Sequence, residues 1–355
     1  MLRASTWWHR PVNMLDFGSV TDPVIAWLSA TDPAIHWQVM RDLFDAPAFA
    51  WQEARRRVET EGWGARLLAC QGTDGLWAGG AFVPHAFDWS TIKEVGQPWT
   101  ATCWALAQLR EIGLDPASLS ARRTVQLVRE NGRWDHDGQP YWDGEVEECI
   151  NGRTVAAGAY FGVDVAAVVE RLLSERQPDG GWNCERCNGS VRSSFHTTLN
   201  VLEGLLEFER ATGGSEAATA ARHSGQEYLL SRSLMRRRSN GETIDPQFAL
   251  FLHPHVWRYD VLRALDYFRD CAQHTGASPD ARLRDAIALV RSRQLPDGTW
   301  PLDWRTKGAM WFTMDDGPGQ RSAWITLKAL RVLRWWDAYH AGTKDNDAVP
   351  PASKI

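Results

Sequence analysis

A cysteine pair carries the most direct chemistry in this sequence. Cys184 and Cys187 form a Cys-x-x-Cys motif, a spacing found both in zinc half-sites and in redox-active dithiols. A structural site of four cysteines needs a second such pair, but Cys70, Cys103 and Cys271 each lack a nearby second cysteine. The motif therefore predicts thiols that act with residues brought from elsewhere in the chain.

Proton transfer has three candidate residues. Tyr259 and Asp260 are adjacent and offer a phenol beside a carboxyl group, although surface or capping roles fit them equally. Asp315 belongs to a Thr-Met-Asp-Asp segment at residues 313–316, for which a solvated turn or a helix N-cap is the alternative. We take Tyr259, Asp260 and Asp315 as catalytic candidates, and the sequence does not choose among them.

A repeated turn indicates the scaffold that must position these residues. Four segments combine a Gly-containing turn with a following Trp, at residues 71–77, 130–134, 177–182 and 294–300. A fifth, at 239–242, keeps the turn without the Trp, and the starts recur about every fifty-five residues. Gly supplies the positive φ that ends a helix, and the Trp is predicted to fold back against it.

Each repeat is predicted to hold two helices of different character. Helices that look buried on two sides are predicted to start near residues 33, 98, 147, 194, 255 and 320. Between them lie amphipathic stretches with a period of 3.6 residues, at 51–69, 121–130, 165–176 and 280–293. No segment shows β-alternation. The sequence therefore predicts an all-α fold, an α/α toroid of about six inner and six outer helices, with an open solenoid as the alternative. We expect one domain over residues 1–342 and a disordered tail at 343–355.

The turns resemble the QW motifs of squalene and oxidosqualene cyclases. Those enzymes share the α/α-toroid fold with the β subunits of protein prenyltransferases, and the resemblance spans residues from about 22 to 340. The Asp-x-Asp-Asp motif of class II cyclases is absent, with residues 313–316 as its nearest match, and so is the class I motif Asp-Asp-x-x-Asp, which holds magnesium on a diphosphate. The resemblance implies the fold and leaves the reaction open.

The prenyltransferase side of this resemblance implies a zinc site. In those β subunits, an Asp-x-Cys pair opens one inner helix and a His opens the next. This chain is similar at Glu147-Glu148-Cys149 and, 47 residues further on, at His196. The resemblance implies Cys149, His196 and Glu147 as ligands, since matching ends of helices roughly 8–10 Å apart can reach one ion. Cys184 lies in the loop before His196, and the last ligand is either Glu147 or Cys184.

The other inner helix starts are expected to line a substrate cavity. Aromatic side chains there would bind apolar chains or stabilise cations, with plain packing between helices as the alternative. The stretch 141–148 is acidic where the prenyltransferases are basic, but four arginines nearby or at later helix starts would hold an anion: Arg153, Arg192, Arg258 and Arg321. The predicted cavity residues are Trp99, Arg153, Trp257, Tyr259, Arg321 and Trp324.

Composition excludes several classes of protein. The chain has 355 residues and a net charge of −5, which argues against a general nucleic-acid binder. No uninterrupted apolar run of 18 residues and no secretory signal are visible, so we expect a cytoplasmic protein without a transmembrane segment. The six scattered cysteines fit free thiols or metal ligands better than a disulfide framework. Twenty Trp residues fit a Trp-using repeat or an aromatic cavity.

These observations lead to one leading functional hypothesis and two alternatives. The first is a prenyltransferase-like or terpene-cyclase-like enzyme with zinc in the toroid cavity, acting on an isoprenoid or another apolar small molecule. Zinc would activate a thiol, water or a carbonyl group, and no nucleotide cofactor is expected. The alternatives are a metal-free, acid-driven terpene cyclase and a non-catalytic toroid that binds a lipid or a peptide. A partner subunit is conceivable, but the sequence does not indicate one.

Overall fold

The structure is a computed structural model that describes residues 22–346. The predicted domain's first 21 residues and the last nine residues of the predicted tail lie outside this range. The α-helices are α1 (Pro23–Thr31), α2 (Pro33–Asp42), α3 (Ala48–Arg56), α4 (Gly62–Ala69), α5 (Ile92–Val95), α6 (Thr102–Ile112), α7 (Leu119–Asn131), α8 (Glu148–Tyr160), α9 (Ala166–Ser174), α10 (Phe195–Thr212), α11 (Glu216–Leu230), α12 (Val261–Thr275), α13 (Arg284–Ser292) and α14 (Ala323–Asn346). Between residues 22 and 346 there are isolated β-bridges but no strands.

Local sequence sets the helix ends. Asp22 and Asp32 cap α1 and α2 by accepting backbone N–H groups, and each is followed by a proline at the first helical position. Asp260 caps α12 in the same way through the N–H of Arg263. At the other end, α6 stops at Gly113 and α10 at Gly213, both with positive φ. These caps satisfy backbone groups that a helix end leaves unpaired.

Seven helices contact one another in a closed circuit. Helix α4 contacts both α2 and α6, and the circuit continues through α8, α10, α12 and α14 back to α2. A second set packs outside it: α3 contacts α2, α9 contacts α8, α11 contacts α10 and α13 contacts α12. A cavity at the centre is lined mainly by α2, α6, α8, α10, α12 and α14, with Arg55 of α3 and residues 254–256 also contributing. The all-α class predicted from the sequence is confirmed for residues 22–346. The toroid stays a prediction, favoured by this circuit.

The tryptophan turns join the two sets of helices. The indole N–H of Trp77, Trp182 and Trp300 donates to a carbonyl ten residues earlier, at 2.7–2.8 Å. The backbone N–H of each Trp donates to a threonine hydroxyl on the next buried helix. These pairs are Trp77 to Thr102, Trp182 to Thr198 and Trp300 to Thr326. All three indoles are fully buried. The turns at Trp182 and Trp300 tie the outer helices α9 and α13 to the inner helices that follow, and the turn at Trp77 ties α4 to α6.

The turn at Trp134 is built differently. Its indole N–H donates forward to the carbonyl of Tyr141 at 2.8 Å, and its ring stacks on the Tyr141 ring. The Trp134 backbone N–H donates to Gln139 within the same loop. The Trp is buried as predicted, but this loop closes on itself before α8 begins.

Glycines bring α8 and α10 close together. A Cβ on Gly152 of α8 would lie 2.6 Å from the carbonyl oxygen of Asn200, and one on Gly204 of α10 would lie 2.4 Å from the carbonyl of Gly152. Any larger side chain at either position would push the helices apart. This close packing places the N-terminal ends of α8 and α10 beside each other, where the candidate metal ligands lie.

Two boundaries differ from the sequence prediction. The amphipathic stretch 51–69 is two helices, α3 and α4, because the chain turns at Gly62 with a φ of +62°. A Cβ at Gly62 would meet the Asp32 carboxylate, which accepts the N–H of Trp63. At the C-terminus, α14 continues through Asn346, past the domain end predicted at residue 342.

Candidate metal centre and central cavity

Three of the predicted ligands form one group. The donor atoms of Glu147, Cys149 and Cys184 all lie within 4.8 Å of one another, and all three residues are half-buried. Cys149 Sγ is 3.4 Å from Glu147 Oε2. Two thiolates and one carboxylate are a donor set that zinc accepts, and three protein ligands leave a fourth tetrahedral position open.

The loop before α8 holds Glu147 in place. The Asn151 side chain accepts the N–H of Glu145 and donates to its carbonyl, both at 2.7 Å. The Glu145 carboxylate in turn accepts the N–H of Glu147 at 2.8 Å. Gly144 approaches Asn151 so closely that a Cβ there would lie 2.6 Å from its side-chain oxygen. Asn151 is fully buried, so it acts as the positioning residue for this loop.

The turn that carries Cys184 is anchored at two points. The N–H of Cys184 donates to Thr197 Oγ1 on α10 at 3.3 Å, and that hydroxyl donates to Cys184 Sγ at 3.5 Å. Arg186, two residues further on, pairs with Glu148 of α8 and with Glu175 at 2.8 Å. Glu148 is itself buried. The ion pairs therefore tie the cysteine turn to the helix that carries Cys149.

The two thiols have unequal proton affinities. A hydrogen bond to Cys184, together with burial, raises the pKa of Cys149 well above its usual range. The same hydrogen bond lowers the pKa of Cys184 to about 7. Burial raises the pKa of Glu147, and its hydrogen bond with Cys149 only partly offsets this. Cys184 is thus the thiol that most readily becomes a thiolate, the form that binds metal or attacks electrophiles.

His196 lies outside this group. Its Nδ1 accepts the backbone N–H of Tyr259 at 2.8 Å, and its ring lies 5.0 Å from the Trp257 ring. Burial, with Arg258 and Arg263 nearby, lowers the pKa of His196 to about 4. The structure therefore brings together three of the four predicted ligands, while the His196 side chain on α10 contacts the segment before α12. Cys187 is exposed, and its thiol donates to the carbonyl of Cys184 at 3.4 Å.

The central cavity has a volume of about 490 Å³ and a charged lining. Eight cationic side chains and six carboxylates line it, and none of Glu147, Cys149 and Cys184 is among the lining residues. The cations are Arg41, Arg55, Arg110, Arg153, Arg210, Arg263, Lys328 and Arg331. The carboxylates are Asp42, Glu111, Glu203, Glu207, Asp266 and Asp270. A polar interior of this kind suits a hydrophilic occupant.

One of the six residues predicted to line the cavity does so. Arg153 lines it, whereas the side chains of the predicted aromatic wall pack or form hydrogen bonds elsewhere. Trp99 donates to Lys307, Tyr259 donates to Leu234, and Trp324 stacks against Trp63. Trp257 packs against His196 and Arg258, and Arg321 covers the Trp27 ring. In these places the aromatic residues serve packing between helices.

The proton-transfer candidates occupy three different environments. Tyr259 is buried, and burial raises its pKa well above its usual range. Burial alone would raise the pKa of Asp260, but His255, 2.9 Å from its carboxylate, and two backbone N–H groups lower it overall. Asp260 is therefore held as a carboxylate that caps α12. The Asp315 side chain is 3% exposed and lies 3.7 Å from His253 Nδ1.

His253 connects Asp315 to a further chain of charged groups that the sequence analysis did not single out. His253 Nε2 lies 3.3 Å from Glu111, whose other oxygen accepts from Lys328 at 2.6 Å. Burial alone would lower the pKa of His253, but Glu111 and Asp315 raise it overall. A sequence signal existed in charged residues placed among apolar neighbours, Glu111 before Ile112 in α6 and Lys328 between Leu327 and Ala329 in α14.

Comparison with known proteins adds little to these observations. No protein-family model matches the chain, and no curated protein matches it. A crystal structure of a protein from Actinoplanes is similar over 86% of this chain and 90% of that chain, with 18% sequence identity and a TM-score of 0.43. A likeness at this level carries no functional argument. Separately, none of the helices between residues 22 and 346 has the length and apolar character that a membrane crossing requires.

Proposed function

We propose that this chain is a zinc-dependent enzyme whose metal is held by Glu147, Cys149 and Cys184. The proposal rests on one observation: three donor atoms from two separate segments lie within 4.8 Å of one another. Two sulfurs bound to one zinc ion are roughly 3.8 Å apart, so the group needs little movement to close on an ion. Bound zinc would supply an acidic centre with one open position for water, a thiol or a carbonyl group.

The chain's own residues prepare this group for a metal. Asn151 holds Glu145, whose carboxylate fixes the backbone of Glu147. On the other segment, Thr197 and the ion pairs of Arg186 hold Cys184 against α8. Such support around the ligands is what keeps a metal site from being merely a chance cluster. The half-buried position leaves the site open to a substrate at the ends of α8 and α10, apart from the lining of the central cavity.

A structural zinc ion is the second candidate at the same site. It is favoured by Cys187, whose thiol belongs to the same turn as Cys184 and is exposed. A small rotation of that turn would supply a third thiolate and fill the open position, as in closed structural sites. A catalytic site held by Glu147, Cys149 and Cys184 predicts that Cys187→Ser keeps its metal and leaves the open position unchanged. A structural site that includes Cys187 predicts that Cys187→Ser loses metal.

Elemental analysis of untagged, chelator-washed protein tests the proposal. We expect about one zinc ion per chain, and a strong loss of zinc in Cys184→Ser and in Glu147→Gln. Cys70→Ser is the matched control, because Cys70 is half-buried but lies outside the group, and it should retain zinc. Metal-free wild-type protein, or zinc retained in both ligand variants, overturns the assignment. Cobalt substitution adds a spectroscopic readout, since thiolate ligands give an intense charge-transfer absorption.

Reaction with an isoprenoid remains a separate proposal. The circuit of helices around a central cavity supports it, while the charged lining of that cavity does not favour an apolar chain. Turnover of geranyl or farnesyl diphosphate by the zinc-loaded protein would support it. For the acid-driven alternative, Asp315 is a better candidate than Asp260, which is held as a carboxylate.

A further inference from the structure

Arg153 differs from the other cations of the cavity. Its Nη1 donates to the Val256 carbonyl and lies 3.3 Å from Asn200 Oδ1, and its Nε is buried without a hydrogen-bond partner. Its guanidinium lies over the Trp104 ring at 4.9 Å. Among the ion pairs formed by residues 22–346, none includes Arg153. A guanidinium carries five donors, so donors of Arg153 remain for a further acceptor.

The neighbouring cations are compensated. Arg263 forms a bidentate pair with Glu203 at 2.8 Å, Arg110 pairs with Glu207 at 3.2 Å, and Lys328 pairs with Glu111 at 2.6 Å. Arg55 also lacks a carboxylate, but its donors reach the carbonyls of Gly113 and Leu114 and the Tyr160 hydroxyl. The uncompensated donor capacity of the lining is therefore concentrated at Arg153.

The net charge of the cavity lining also favours an anionic occupant. Eight cations against six carboxylates leave the lining with a net charge of +2 when His255 is neutral, and burial lowers the pKa of His255 to about 4. Burial, together with Arg263, lowers the pKa of Arg153 to about 10. A half-buried cation without an ion-pair partner is unfavourable, and an anion that enters the cavity removes this penalty.

We propose that the central cavity binds a small hydrophilic anion whose carboxylate or phosphate group pairs with Arg153. The planar guanidinium suits either group, because both offer two oxygens to a pair of N–H donors. The volume of about 490 Å³ matches a small-molecule site. The carboxylates of the lining are already paired, so the occupant needs no positive charge. This proposal is independent of the zinc site, whose three residues do not line the cavity.

Isothermal titration of the purified full-length chain with succinate and with inorganic phosphate, at constant ionic strength, tests the proposal. We expect at least one of the two to bind, and Arg153→Gln to weaken that binding about tenfold or more, the effect of losing a charge-assisted pair. Binding of succinate alone identifies a carboxylate ligand, and binding of phosphate alone identifies a phosphoryl ligand. Arg284→Gln removes the same charge from an exposed position and should leave the affinity unchanged.

Several results would overturn the cavity site. They are no binding of either anion to the wild-type protein, equal binding by Arg153→Gln, or an equal loss in Arg284→Gln. Cys184→Ser should bind the same anion as the wild type with equal affinity, which separates the cavity from anion binding at zinc. If Arg153→Gln does not fold, Arg153→Lys keeps the charge but loses the planar fork, and it should still weaken binding.

Discussion

Arg331 and Arg153 line the same cavity, yet their surroundings differ in the compensation of charge. Arg331 forms ion pairs with Asp266 at 2.6 Å and with Asp42 at 3.0 Å. Asp42 also forms ion pairs with Arg41 and Arg269. These carboxylates sit between guanidinium groups from three helices. Arg153, by contrast, contacts neutral acceptors and an aromatic ring, and it has no ion-pair partner in the part of the chain that the structure describes. At the Arg331 corner of the cavity every charged group has a partner of opposite charge. At the Arg153 corner, hydrogen-bond donors of the guanidinium remain without an acceptor among the described residues.

The two arginines are therefore expected to serve different purposes, Arg331 the stability of the fold and Arg153 the binding of a ligand. A completed buried network holds α2, α12 and α14 together and leaves nothing to offer a ligand. An uncompensated cation weakens the empty protein and becomes favourable only when an anion arrives, as is common where function outweighs stability. Predictions that perturb each corner in turn test this contrast.

The largest effect is expected for Arg331→Met. It leaves Asp42 and Asp266 buried with fewer counter-charges, so the free energy of unfolding should fall by about 4 kcal/mol in urea denaturation. Arg291→Met is the matched control, because Arg291 pairs with Asp337 on the surface, with both side chains about half exposed. That control should change stability by less than about 1 kcal/mol. A small effect of Arg331→Met would show that the network does not support the fold.

Asp42→Asn should lower the free energy of unfolding by about 3 kcal/mol at neutral pH. Burial alone would raise the pKa of Asp42, but Arg269, Arg41 and Arg331 hold it well below its usual range. A carboxylate whose pKa is lower in the folded state than in the unfolded state stabilises the fold. This contribution is complete at pH values above the pKa in the unfolded state, about 3.9, and is lost as the pH falls below that value. The advantage of the wild type over Asp42→Asn should therefore shrink below about pH 4.

Urea unfolding at pH values from 7 to 3 measures this dependence, with Asp337→Asn as the exposed control. A difference between wild type and Asp42→Asn that stays constant over the whole range would contradict the role given to Asp42.

Glu203→Gln should leave Arg263 and Arg110 with less compensating negative charge, so that they resemble Arg153. The change removes the bidentate partner of Arg263 and a carboxylate 3.7 Å from Arg110. Since Glu203 is 20% exposed, the free energy of unfolding should fall by about 2 kcal/mol. The anion that binds the wild type should raise the melting temperature of Glu203→Gln further, because more positive charge is uncompensated. Equal gains in both proteins would argue against a charge-driven site.

The smallest effect on stability is expected for Arg153→Met. Loss of its hydrogen bonds and of its contact with Trp104 is offset by removal of an uncompensated charge, so the free energy of unfolding should change by less than about 1 kcal/mol. The gain in melting temperature with succinate or phosphate should disappear at the same time. A destabilisation as large as that of Arg331→Met would mean that the two corners are alike, and the comparison would fail.

Much of the scaffold could be predicted because its signals are local. Helices α2, α8 and α10 begin within one residue of the predicted positions, and Trp77, Trp134, Trp182 and Trp300 are buried as the repeat indicates. Turn glycines, caps and apolar periodicity all act over a few residues. Helix α11 was not identified, since it carries Ala, Gly and polar residues in place of a strong apolar stripe.

The metal group was partly predictable. Glu147, Cys149 and Cys184 were all named, two of them from one resemblance and the third from a Cys-x-x-Cys motif. His196 was named on the same resemblance, but the structure engages its Nδ1 with the N–H of Tyr259. Residue spacing indicates that two helix ends are neighbours, but it does not determine which way each side chain turns.

The sequence by itself determined the all-α class, the repeat and the thiols available for chemistry, because these depend on residue types and short spacings. Only the tertiary structure decided which charges face one another. Arg331 pairs with Asp42, 289 residues away in the sequence, and with Asp266, 65 residues away, while Arg153 forms no ion pair with a carboxylate of residues 22–346. Electrostatic compensation depends on distances in space, which sequence separation does not encode, so the uncompensated corner of the cavity could be recognised only once the helices were in place.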